Sequence, residues 1–177
     1  MLKKISAFVL FLGMVYPLAA AAQDSLVKFK GGIGVIPVSS GVVPAGQQPL
    51  TAEVVNRNFV RGVPPPGQIW VIADLRADVK VDGRIKVRGK GLLLGGGNGI
   101  GGNARASVFA TLICEADAPF TLRITGSTVP LAPNGDFRID DVLTPAPADC
   151  ASPVLLIRNA AGAWFAAGIV DLGHDDD

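Results

Sequence analysis

On both sides of Asp82-Gly83, charged and apolar residues alternate one for one. Arg76, Asp78 and Lys80 interleave with Ala77 and Val79 before it; Arg84, Lys86 and Arg88 interleave with Ile85 and Val87 after it. A period of two is strand geometry, and two such runs around Asp-Gly read as a hairpin. Its register follows from parity. A two-residue turn would pair Val81 with Arg84 and Lys80 with Ile85, mixing apolar and charged residues on one face, whereas a buried face must stay apolar. A three-residue loop Val81-Asp82-Gly83, with Gly83 left-handed in a bulge, pairs Val79 with Ile85 and Ala77 with Val87. It also sets Asp78 opposite Lys86. This is the expected register.

The same test at Asn134-Gly135 selects the loop Pro133-Asn134-Gly135, pairing Leu131 with Phe137 and Val129 with Ile139. A third hairpin turns near Ala160-Ala161-Gly162 and joins Leu155–Arg158 to Trp164–Ala167. Strands are expected at Leu26–Lys30, Ile33–Val38, Gln68–Lys80, Arg84–Leu94, Arg105–Cys114, Thr121–Thr128, Asp136–Leu143, Val154–Arg158 and Trp164–Val170. No long stretch carries apolar residues at helical spacing behind a capping residue. Ser39 to Pro66, rich in Gly and Pro, reads as loop or irregular edge. The expected fold is all-β: a single antiparallel β-sandwich of immunoglobulin-like architecture, with a jelly roll or small barrel as alternatives. The antibody order of Cys, Trp, Cys is missing, because Trp70 precedes Cys114 and Trp164 follows Cys150.

Residues 1–22 read as a signal peptide. Lys3 and Lys4 precede an uncharged apolar run from Ile5 to Tyr16, and Ala20 and Ala22 fit a peptidase site before Gln23. The mature chain is expected to be soluble, periplasmic or secreted, as one domain over 23–171 with a flexible acidic tail at 172–177. Without Lys3 and Lys4 the net charge of +1 falls to slightly negative. A near-neutral chain gives no general case for nucleic acid, and none is expected as a partner. Two cysteines in an oxidising compartment favour one disulfide, Cys114–Cys150.

Arg84, Lys86, Arg88 and Lys90 share one strand face, joined by Lys80 from the partner strand. They form a candidate anion-binding face for an envelope or extracellular polymer; the competing reading is a solvated surface that protects a strand edge. Gly97-Asn98-Gly99-Ile100-Gly101-Gly102 spells G-x-G-x-x-G, but that motif needs a helix after it, and a strand is expected there. It reads as a flexible loop, and no cofactor is expected. The single histidine, His174, sits in the tail, where it could serve neither an anchored metal site nor a triad. Asp136, Asp140 and Asp141 form the densest carboxylate cluster, with Arg138 on the same face as the first two. Such pairs serve glycosidases, although surface charge is the plainer reading. Trp70 and Trp164 lie among apolar neighbours and read as core.

Several stretches look like a group of small exported bacterial β-sandwich proteins that carry no assigned function. They are Ile69-Trp70-Val71-Ile72-Ala73-Asp74-Leu75, Gly89-Lys90-Gly91-Leu92-Leu93-Leu94, Ala110-Thr111-Leu112-Ile113-Cys114, Asn134-Gly135-Asp136-Phe137-Arg138-Ile139 and Cys150-Ala151-Ser152-Pro153-Val154-Leu155-Leu156-Ile157-Arg158. The resemblance spans roughly residues 54–168. It implies the disulfide and the β architecture and brings no catalytic residues. The function expected first is a non-enzymatic exported binding or cell-envelope module. The alternatives are a small carboxylate-dependent hydrolase or carbohydrate-active protein, and a weak binder of anionic polymers through the basic strand.

Overall fold

The computed structural model describes residues 24–36 and 58–173. Eleven strands follow in chain order. They are β1 (Ser25–Gly34), β2 (Trp70–Val71), β3 (Asp74–Lys80), β4 (Arg84–Lys90), β5 (Leu93–Leu94) and β6 (Ser107–Ile113), then β7 (Arg123–Thr125), β8 (Val129–Pro130), β9 (Phe137–Thr144), β10 (Val154–Asn159) and β11 (Trp164–Val170). No helix occurs among the described residues. The signal-peptide reading of residues 1–22 lies outside them, as do His174 and most of the Ser39–Pro66 stretch.

The chain does not form the expected β-sandwich. Its main sheet runs β10-β11-β1-β3-β4-β9-β7-β6, and a further β10–β6 pairing joins the two ends. The result is a closed barrel of eight antiparallel strands, which excludes the immunoglobulin-like and jelly-roll arrangements. β8 continues the stave begun by β7: Val129 pairs with Val108 of β6 while Ile124 pairs with Thr111. The bend that permits closure lies in β1. Its first half pairs with β3 through Lys30↔Arg76, and its second half pairs with β11 through Ile33↔Ala167. The register shifts between Phe29 and Gly32, where Gly31 takes a φ of +96° that a side chain would resist. Closure leaves no long strand edge to protect.

The hairpin over Asp82-Gly83 has the register that parity requires. Val79 faces Ile85, Ala77 faces Val87 and Asp78 faces Lys86, with Gly83 at φ +87°. The β10–β11 hairpin turns at Gly162, whose amide donates to the Asn159 carbonyl at 2.8 Å. The turn at Pro133-Asn134-Gly135 also forms, closed by Gly135 N–H to the Ala132 carbonyl at 2.8 Å. The ladder expected beyond it does not follow. Val129–Pro130 pairs with β6 instead, and the Leu131 amide donates to the Ala106 carbonyl.

Inward positions of the barrel are apolar. Leu75, Val79, Ile85, Val108, Leu112 and Leu155 are fully buried, so the interior is a packed core and not a pore. Both tryptophans belong to this buried set. Trp70 stacks on Phe165 with ring centroids 3.9 Å apart, and the Trp164 indole N–H donates to the Asn58 carbonyl. On β1, β3, β4 and β9 the outward positions are mainly Lys, Arg and Asp, the inverse of a barrel that faces lipid.

Candidate anion-binding face

Strand β4 alternates without a break: Arg84, Lys86, Arg88 and Lys90 are exposed, while Ile85, Val87 and Gly89 are buried. The predicted basic strand is therefore a real outward line of cations. Its neighbours change its meaning. Lys80 pairs with Asp78 at 2.8 Å, Arg84 with Asp82 at 2.7 Å and Lys86 with Asp140 at 3.5 Å. Towards the turn, then, the positive charge is largely offset.

Across the strands it is not. Lys30 of β1 faces Arg76 of β3, Arg76 faces Arg88 of β4, and Arg88 faces Arg138 of β9. Four exposed cations thus share one rung of the ladder. Adjacent strands lie about 4.8 Å apart, so the row extends roughly 14 Å. Arg76 has Asp74 at 3.5 Å. Arg88 and Arg138 have no ion pair among the described residues. Like charges placed directly opposite each other cost stability. Lys30 and Arg76 are not among the candidate residues of the basic face read from the sequence, and Arg138 is noted there only beside Asp136 and Asp140.

The arginine rung forms one wall of a furrow of about 410 Å³, within the roughly 300–1,000 Å³ of ligand clefts. The next outward rung, Asp78, Lys86 and Asp140, forms the other wall. Between them lies the inward rung Ala77, Val87 and Ile139, whose backbone makes the floor. Two residues of strand separate the walls, about 7 Å. On the other side of the row, Arg88 and Arg138 with Lys90 and Asp136 line a second furrow over Gly89 and Phe137.

The carboxylates noted in the sequence are spread out. Asp140 lines the first furrow and Asp136 the second, with Arg138 between them. Asp136 accepts from the Gly91 amide at 3.1 Å, and Asp141 accepts from the Ser127 amide at 3.1 Å. Asp78 accepts from the Ser25 hydroxyl and from Lys80; these contacts hold its carboxyl below the usual range against the opposing effect of burial.

Other arginines are built into the structure. At the Cys114–Cys150 disulfide, the Arg61 guanidinium donates to the carbonyls of Ile113 and Ser152 and to the Ser152 hydroxyl. Arg123 donates to Glu115 at 2.9 Å. That bond, with the backbone amides of Thr121 and of Glu115 itself, holds the Glu115 carboxyl down to about 2 against the opposing effect of burial. Arg158 stacks over the Phe109 ring at 5.2 Å, and burial lowers its guanidinium.

The Gly-rich loop runs into β6, a strand, so no helix N-terminus lies behind it. It folds on itself: Gly101 N–H donates to the Leu94 carbonyl, and Leu94 N–H to the Gly102 carbonyl. Among the described residues no group of His, Cys, Asp and Glu is placed to hold a metal, and no helix is long and apolar enough to cross a membrane. Comparison with protein-family models, curated proteins and solved structures finds no match.

Proposed function

We propose that this chain is an exported binding protein that holds an anionic polymer on the outer face of β1, β3, β4 and β9. One observation carries the reading: the transverse row Lys30, Arg76, Arg88 and Arg138. A fold gains nothing from setting like charges rung to rung, while an extended polyanion laid across the strands meets all four. Arginine suits the task because its planar fork binds carboxylate, sulfate or phosphate through two parallel bonds. The outward positions of this face carry no aromatic side chain, so the stacking platforms that single-stranded nucleic acids use are not supplied there. Export is supported by the leader-like residues 1–22 and by a disulfide suited to an oxidising compartment.

The test is binding of the purified oxidised protein to polyanions at low and at physiological salt. Affinity falls steeply with salt, and the double variant R88S/R138S loses most of it. Salt-insensitive binding, or full affinity in that variant, would overturn the reading.

A further inference from the structure

The two walls of the first furrow differ in chemistry, and the difference names the ligand more closely. One wall is the arginine rung. The other alternates Asp78, Lys86 and Asp140. A carboxylate only accepts hydrogen bonds, and it repels a second anion. Asp140 is three-quarters exposed, and its one ion pair among the described residues is the 3.5 Å contact with Lys86. Most of its acceptor capacity is therefore open to solvent beside the furrow that it lines.

A bare polyanion such as polyphosphate has no donors and meets this wall with repulsion. A sugar polymer carrying acid groups satisfies both walls. Its carboxylates or sulfates pair with Arg76, Arg88 and Arg138, while ring hydroxyls on the opposite edge donate to Asp140. The floor between the walls is backbone over Ala77, Val87 and Ile139 and carries no charge, so a sugar chain that touches both walls meets no repulsion from it. We infer that the ligand of this face is an acidic glycan, a polymer with both anionic groups and free hydroxyls. The inference rests on the polyanion reading given above.

The experiment compares an oligogalacturonate with a polyphosphate of matched charge, by calorimetry on the purified oxidised protein and on D140A and D140N. The native protein binds the oligogalacturonate more tightly. D140A removes the acceptor and the repulsion together, so the preference for the oligogalacturonate shrinks about tenfold, the value of one hydrogen bond to a charged group. D140N keeps an acceptor oxygen and retains more of the preference. The exposed position of Asp140 leaves folding intact, which circular dichroism checks. Equal or tighter binding of polyphosphate, or a preference unchanged in D140A, overturns the glycan inference and leaves the polyanion reading standing. Binding of neither polymer removes both.

Discussion

Arg88 and Arg138 face each other across β4 and β9 in a single rung of the ladder, both exposed and neither in an ion pair among the described residues. Replacing Arg88 by threonine relieves a like-charge contact and keeps a strand-forming residue. Stability should rise by about 0.2–1 kcal/mol at low salt. In strong salt the gain should vanish. Urea unfolding at the two salt concentrations measures both. A loss of stability in R88T would show that the rung is tolerated for a packing reason. A gain in stability together with weaker polymer binding is the signature of a site maintained for its ligand.

The turn glycines give a graded pair. Gly135 has φ +80°, and a Cβ there would lie 2.6 Å from both the amide nitrogen and the carbonyl oxygen of Leu92. Gly101 has φ +79° with nothing within 4 Å. Gly101→Ala should cost only the left-handed backbone, about 1 kcal/mol. Gly135→Ala must also displace the segment that links β4 to β5 and should cost more than about 3 kcal/mol. Equal denaturation midpoints for the two variants would contradict this ranking.

Reduction of Cys114–Cys150 releases a loop with a sequence separation of 36. Loop-closure entropy assigns about 4 kcal/mol to such a link. Arg61 pins the same corner through three hydrogen bonds to Ile113 and Ser152, so Arg61→Ala should cost about 1.5–3 kcal/mol. The two losses share neighbours, and their sum should fail to add. A double-mutant cycle between Arg61→Ala and Cys114→Ala/Cys150→Ala, read by urea unfolding, gives the coupling. Strict additivity would separate the guanidinium from the disulfide corner.

Acid should weaken the fold through Glu115. Its carboxyl titrates at about 2 in the folded chain, below its ordinary 4.5, mainly because Arg123 donates to it. A depressed carboxyl contributes stability that is fully present above the ordinary value and is lost as pH falls towards 2. Glu115→Gln has no carboxylate to protonate there, so its melting temperature should fall less than the native one between pH 4.5 and pH 2. Parallel acid profiles for the two proteins would dismiss the Glu115–Arg123 pair as the cause.

The local parts of this structure were legible because parity acts over a few residues. Val79 opposite Ile85 follows from Gly83 and the apolar alternation alone. That same register carries Arg76 opposite Arg88, two residues beyond Asp78 and Lys86, so half of the charged row was already implied. Arg138 was not, since its place depends on β9 settling beside β4, a pairing between distant segments that no turn dictates. Closure was hidden for the same reason. A strand with one apolar face looks alike in a sandwich and in a barrel; only the β1–β11 and β6–β10 pairings distinguish them. The ladder expected between Val129 and Ile139 failed because Val108 of β6 and Ala106 just before it offered Val129 and Leu131 partners from outside the hairpin. The long readings Gln68–Lys80 and Arg84–Leu94 each break in two, at Ile72-Ala73 and at Gly91-Leu92, where the chain leaves the barrel wall to form the small β2–β5 sheet.

Phe29 and Val170 sit side by side where the first and last staves meet. That seam joins residues near opposite ends of the chain, so everything between them is one long loop until it zips. Such non-local pairing folds slowly. It also makes the molecule indivisible: trimming β11 would unseal the ring, strand β1 and β10 each with a bare flank, and turn a self-contained cylinder into a sticky open sheet.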